Sequence, residues 1–396
     1  MDSSLQYKRA CACTLGRAFG YRPKIAHRLV EALGGVEGVF SLSEKEKDEL
    51  LGPFSRYRGA VGGRALEESL RELEQLAGLG VGFIAFGEED YPQALALCPD
   101  APLGLYFRSS SSPSEIFSAR PLITIVGTRD ITPYGREWCQ RVVFALADAP
   151  VRPCIVSGLA YGVDAAAHAA ALEAGLPTVA VIPTGPDSIY PKGNIPIARQ
   201  IASSEASALV TDFPPGTGPE RATFLRRNRI IAGLSSHTIV VESKIKGGSL
   251  ITARYAFSYG REVFALPGRV DDLRSQGCNA LIAEKIAEPI TDLSVLVREL
   301  GLGTPDLKSR PSLEDRLRVE YSQLLAPEKM DSVIAVAACI RAHRGISIED
   351  LAQRLALPFL EVSALVSMLE SDGYICTDLL RQCTLAVRPP SHNKKV

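Results

Sequence analysis

The chain is expected to be an α/β protein. An extended Rossmann-like parallel-sheet core should be flanked by an N-terminal helical domain, SAM-like or helix-hairpin-helix-like, and a C-terminal winged-helix domain. Three observations predict this. Short apolar runs rich in β-branched residues alternate with helical stretches from Leu122 to about Leu296, the pattern of buried parallel strands joined by crossover helices. Glycine-rich loops follow several of these runs: ITIVGTR, CIVSGLAYGVDAAAH, TVAVIPTG and HTIVVESKIKGGSLITA. The segments before and after this region show helical periodicity instead.

The elements follow in order. Residues 1–78 are expected to be helical. The stretch Pro23 to Gly35 opens on proline and closes on Gly-Gly, and Arg64 to Gly80 closes on glycine, both helix punctuation. This segment is either a small helical module or a plain cap on the next domain. Residues 79–300 form the expected core. Gly82 to Leu95 and Pro102 to Arg108 give two strands around a helix, and Ser109 to Ser114 is a loop by composition. Glu262 to Gly268 is a late strand, and Gln276 to Ile282 begins a helix. Residues 301–325 read as a linker from their Pro and Gly breaks and mixed charge. Residues 326–390 hold three helical patterns and two short apolar runs that could form a two-stranded wing. The expected recognition helix, Leu360 to Leu369, carries no Lys or Arg. It suits protein contact better than DNA contact. The tail Ser391 to Val396 is expected to fray.

Composition narrows the function. The 396 residues have a net charge of -1 and are 46% hydrophobic. Disorder is excluded for most of the chain. A whole-surface polyanion binder is also excluded, but a local basic groove is not. No run of about 18 apolar residues occurs, and the start lacks a clean signal-peptide pattern, so a cytoplasmic location is expected. The nine cysteines are scattered and should be reduced thiols packed in cores.

The loops point to a phosphate-rich ligand. Glycines at strand ends let backbone N–H groups approach an anion, and a helix start beyond them adds its positive dipole end. In VGTR, Gly127, Thr128 and Arg129 follow a strand. Ser157, Gly158 and Gly162 form a second turn, which is neither GxGxxG nor a P-loop. Asp164 and His168 share one helical face and read as a helix-capping acid and a packed histidine. Lys192 and Asn194 lie in a polar loop expected at the same sheet edge as Arg129, both facing one anion. Arg226, Arg227, Asn228 and Arg229, with Arg221 before them, form a basic cluster at an expected helix beginning. That placement opposes the helix dipole unless a polyanion sits there. Gly248, Ser249 and Thr252 lie at a further helix entry.

Together VGTR, SGLAYGVDAAAH, GPDSIYPKGN, FLRRNRIIAGLS, VVES with GGSLITA, and VFALPG resemble, in this order, the DNA-processing protein A (DprA/Smf) family over about Leu79 to Ile290. The resemblance implies a Rossmann-like domain that binds single-stranded DNA without sequence preference. It also implies a homodimer, loading of the recombinase RecA, displacement of single-strand-binding protein, and a role in natural transformation. No catalytic residue, cofactor or metal is implied. The implied DNA pocket falls on Arg129, the Gly158 loop, Lys192 and the Arg227-Asn228-Arg229 segment. Two places depart from the family pattern: Thr211-Asp212 replaces Ser-Glu, and Lys246-Gly247-Gly248 replaces Ser-Gly-Ser. The rival reading is a Rossmann-like nucleotide phosphoribohydrolase, whose PGGxGTxxE motif is only approximated by Pro214 to Glu220. An NAD-dependent oxidoreductase lacks its fingerprint. A pure protein scaffold does not explain the basic loops.

Overall fold

Apolar spacing and glycine stops divide the first segment into six helices. They are α1 (Ser3–Phe19), α2 (Pro23–Ala32), α3 (Gly38–Ser41), α4 (Glu44–Leu51), α5 (Arg56–Ala60) and α6 (Gly63–Gly78). The computed structural model describes residues 3–304, 312–343, 345–378 and 380–386. Pro23 sits in the first turn of α2, where its missing N–H costs nothing. Ser43 and Glu46 cap α4 reciprocally.

The core follows as β1 (Gly82–Ala85), α7 (Gln93–Ala96), β2 (Gly104–Arg108), α8 (Pro113–Phe117), β3 (Leu122–Val126), α9 (Pro133–Ala147), β4 (Cys154–Ser157), α10 (Val163–Glu173) and β5 (Thr178–Val181). A 3-10 turn at Lys192–Asn194 leads into α11 (Ile195–Ser203), β6 (Ala208–Thr211), α12 (Arg221–Leu234), β7 (His237–Val240), α13 (Gly248–Ser258), β8 (Glu262–Ala265), α14 (Gln276–Ala283), β9 (Glu288–Pro289) and α15 (Leu293–Glu299). Nine strands make one sheet in the order β1-β2-β6-β5-β4-β3-β7-β8-β9. The run from β6 to β9 is parallel, and β2 pairs antiparallel with both β1 and β6. The sheet is buried on both faces, so β3, β4 and β5 are buried throughout and mostly apolar rather than alternating.

β1 and β2 do alternate. Phe83, Ala85 and Tyr106 pack with Leu15, Phe19 and Leu76 of the N-terminal helices. Ile84 and Leu105 join the central core on the other face. The expected boundary at residue 78 therefore falls inside one compact unit, Met1–Pro305.

A second unit spans Asp306–Val396. It contains α16 (Leu313–Tyr321), α17 (Pro327–Ala342), β10 (Ile346–Ser347), α18 (Ile348–Leu355), α19 (Phe359–Ser371), β11 (Ile375–Thr377) and β12 (Gln382–Leu385). Its core holds Leu317, Tyr321, Val333, Leu351, Val362 and Leu369. Two expectations are corrected here. The expected linker contains α16, because Ser312 and Asp315 form a capping box and Leu317 and Tyr321 are buried. The two expected strands do pair, as β11 with β12, but β10 joins them in a three-stranded antiparallel sheet, β10-β12-β11. The added strand is two residues long, too short to show a period. Residues 305–311 of the expected linker, residues 387–390 and the tail 391–396 lie outside the described residues.

The basic cluster is corrected as well. α12 begins at Arg221, so residues 226–229 lie inside the helix and not at its start. Seven cysteines are buried, Cys339 is half-buried and Cys376 is exposed; all nine are free thiols. Among the described residues no single helix is long and apolar enough to cross a membrane.

Candidate nucleic-acid interface

The strand order places one gap apart from the others. From β3 the chain steps to β4, β5 and β6 on one side, then returns to β7 on the other side of β3. The crossovers therefore diverge between β3 and β7, and their loops leave a crevice beyond the strand ends. A cavity of about 690 Å³ opens there. It is lined by residues 126–130 at the end of β3, by Lys244 and residues 246–249 after β7, and by one face of α12.

Each wall is held for a local reason. The 127–132 loop is pinned by Glu242, which is buried. Its backbone carbonyl accepts the Thr128 N–H at 2.7 Å, and its carboxylate accepts the Thr132 N–H at 3.0 Å and the Thr132 hydroxyl. The opposite wall turns tightly at Gly247, where a Cβ would collide with the Ser243 hydroxyl. Gly247 caps α13 without a side-chain partner, and Gly247, Gly248, Ser249 and Thr252 line the cavity. A helix that begins on bare backbone with no acid in its first turn favours an anion.

The third wall is α12. Arg221, Phe224, Leu225, Asn228 and Ile231 recur at helical spacing and face the cavity together with Arg227. The Arg129 guanidinium lies over the Phe224 ring at 4.7 Å, and Arg227 approaches the same ring at 5.9 Å. Tyr190 meets Phe224 edge-on at 5.7 Å. An aromatic ring close to two guanidinium groups offers stacking and phosphate contacts in one place.

Arg227 is the most constrained of these side chains. It is only 3% exposed, and its Nε and Nη1 have no hydrogen-bond partner. Burial pushes its pKa down to about 10, opposed by the charge of Asp164. It therefore remains a cation at neutral pH. Asp164 is also buried, and desolvation raises its pKa against the pull of Arg227. A Cβ at Gly158 would overlap Arg227 Nη1 and lie 2.7 Å from Asp164 Oδ2. Glycine at 158 is what admits this pair. A buried cation with unfilled donors is costly unless an anion completes it.

The comparisons with known proteins cover the region that holds this cavity. The family model for DNA recombination-mediator protein A matches residues 82–301, more than half of the chain. The chain belongs to this family. A Synechocystis relative, Protein Smf, is 32% identical over 311 residues, covering 74% of this chain and 77% of the relative. The DNA processing protein DprA of Streptococcus pneumoniae is 40% identical over 197 residues, covering 50% of this chain and 67% of the relative. The X-ray structure of DNA processing protein A from Streptococcus pneumoniae aligns with a TM-score of 0.60 at 30% identity. It covers 72% of this chain and 95% of that chain.

Within this family member, the structure gathers only part of the expected set. Gly127, Thr128, Arg129, Arg221, Arg227, Asn228, Gly248, Ser249 and Thr252 line the cavity. Ser157 and Asn194 instead brace the backbone. The Ser157 hydroxyl donates to the Ile125 carbonyl at 2.6 Å, and the Asn194 amide donates to the Leu159 carbonyl at 2.9 Å. Lys192 is exposed after β5, two strands away from β3, and does not line the cavity. Arg226 and Arg229 correct the expectation most clearly. They sit on the far side of α12, and both donate to Asp212 Oδ2, at 2.8 and 2.6 Å. His168 is buried with Nδ1 2.7 Å from the Thr178 hydroxyl, and burial lowers its pKa to about 3; it is a packed, neutral histidine. Sequence reasoning missed Phe224 as a site residue and also missed Lys244 and Lys246. The signal for Phe224 was its i+3 spacing from Arg221, once the true helix start is known.

Gly162 tests the architecture. Its φ is +82°, and a Cβ there would run into the Thr128 and Arg129 backbone. Gly162→Ala is expected to cost about 1–3 kcal/mol and to shift the Arg129 loop. Thermal denaturation should show a lower Tm, and DNA affinity should fall with it. An unchanged Tm would mean that the turn relaxes freely and does not position Arg129.

Proposed function

We propose that this chain is a single-stranded DNA-binding recombination mediator, with the strand lodged in the cavity between β3 and β7. The observation that carries this reading is the buried, unpartnered Arg227 guanidinium beside Phe224 and Arg129. Phosphates complete the cations and the capless start of α13, while a base stacks on the ring. A single strand can bend its phosphates and bases into such a crevice, whereas a duplex keeps its bases stacked and paired inside.

The role extends to protecting incoming DNA, displacing single-strand-binding protein and loading RecA in natural transformation, as a homodimer in the cytoplasm and without a catalytic step. The support for it is family membership and the resemblance of the motifs. The unit Asp306–Val396 is assigned as a winged helix that contacts protein, because α19 has no basic residue. Helices α1 to α6 are assigned as a SAM-like module. The rival phosphoribohydrolase reading asks for a free acid at Glu220. Here Glu220 is the N-cap of α12, its backbone N–H donating to the Thr223 hydroxyl at 3.0 Å and its backbone carbonyl accepting the Thr223 N–H. Release of base from nucleoside monophosphates would revive that reading.

Fluorescence anisotropy with labelled oligothymidine and a blunt duplex tests the main proposal. Binding should favour the single strand and weaken linearly with log salt, by about 0.7 per phosphate held. Equal or tighter duplex binding would sink it.

A further inference from the structure

A second basic and aromatic surface lies on the N-terminal helices. A cavity of about 280 Å³ is lined by Phe19, Tyr21, Arg22, Arg56 and Tyr57, with Arg17 at its side. Tyr57 stacks on Phe19 at 4.5 Å, and the Arg56 guanidinium lies 4.9 Å from the Tyr57 ring centre. Arg17 is neutralised by Glu72. Arg22 and Arg56 are exposed and have no acidic partner among the described residues. Tyr21 is 65% exposed although it is a large ring. Most surface cations of these helices are paired: Arg9 with Glu88, and Arg58 with Glu44 and Asp48. Arg22 and Arg56 are thus free cations that share this cavity with one open ring, Tyr21.

This surface reaches the far side of α12, the helix whose other face lines the main cavity. Arg226 stacks over Tyr21 at 4.8 Å. It is the residue after Leu225, which lines the main cavity and is itself exposed. Tyr21 thus meets α12 from the side opposite Arg227. In a chain of net charge -1, two unpaired arginines beside an open tyrosine ring match the stacking and phosphate contacts of a flexible polynucleotide.

We propose that the surface formed by Tyr21, Arg22 and Arg56 is a second contact for the same single strand after it leaves the cavity. A base stacks on Tyr21 and phosphates meet Arg22 and Arg56. The inference rests on the proposed cavity reading. It extends the footprint onto the helices of residues 3–78.

The test uses the full chain and an oligothymidine 20-mer bearing 5-iodouracil, photocrosslinked and mapped by mass spectrometry. Crosslinks at both Tyr21 and Phe224 are expected. Crosslinks at Phe224 with none in α1–α6 or their turns overturn this inference and leave the cavity reading standing. Crosslinks at Tyr21 with none around the cavity support the second surface and overturn the cavity reading. Absence of binding overturns both. Arg22→Glu combined with Arg56→Glu gives an independent measure. It should weaken 20-mer binding about tenfold and lower the salt slope by about 1.4, two single-strand phosphate contacts. A hexamer should lose less than about threefold. Equal losses for both lengths, or none for either, count against the proposal, with circular dichroism as the folding control.

Discussion

Arg227→Ala is expected to weaken single-stranded DNA binding about 30- to 100-fold, about 2–3 kcal/mol, while the fold is kept. The magnitude is that of hydrogen bonds to a charged group. It applies in full because the guanidinium is 3% exposed and two of its nitrogens have no partner in the protein. Water competes little for such donors, so a phosphate gains nearly the whole interaction. Stability should not follow affinity down. Among the described residues no acid lies within ion-pair distance of Arg227, so its removal should cost less than breaking a direct buried salt bridge, although Asp164 loses a favourable neighbouring charge. Arg227→Lys should recover only part of the affinity, because an ammonium lacks the planar fork. Anisotropy and a thermal melt on the three proteins check this. If Arg227→Ala binds like the parent, the crevice between β3 and β7 is not the DNA site.

The largest stability effect is expected at Asp212. Its carboxylate is 2% exposed and accepts from Arg226 Nε at 3.1 Å, Arg226 Nη2 at 2.8 Å and Arg229 Nη2 at 2.6 Å. Arg229 also donates to the Asp100 carbonyl. Arg226 lies over Phe213 and Tyr21, so this cluster joins the turn after α1 to α12. Asp212→Ala leaves two guanidinium groups buried without a counter-charge and should cost about 3–5 kcal/mol. Asp212→Asn keeps an acceptor and should cost less. Urea denaturation measures both. A loss below about 1 kcal/mol for the alanine variant would mean that solvent reaches the two arginines. Arg229→Ala should likewise reduce stability yet leave the salt slope of DNA binding unchanged, which separates this cluster from the cavity.

Periodicity and composition alone specify the parallel core. Buried strands must be apolar on both faces, and each must be followed by a turn that glycine permits, so the pattern is written locally. The same locality reveals that the loops after these strands favour an anion. It singles out Arg129 and Gly248 as candidate residues, because each stands beside a loop or helix entry. Local pattern fails where identity depends on what lies across space. Four polar residues in a row, Arg226 to Arg229, look equivalent in one dimension. On a helix each residue is turned about 100° from the last, so Arg227 and Asn228 face the cavity while Arg226 and Arg229 face Asp212. Lys192 and Arg129 both follow strands of one parallel sheet and reach the same edge. The strand order leaves two strand spacings between β3 and β5, and the crevice opens on the other side of β3, toward β7. Which loops meet, and which arginines are spent on the fold, was decided only by the tertiary structure, because helix phase and strand order set distances that sequence separation does not.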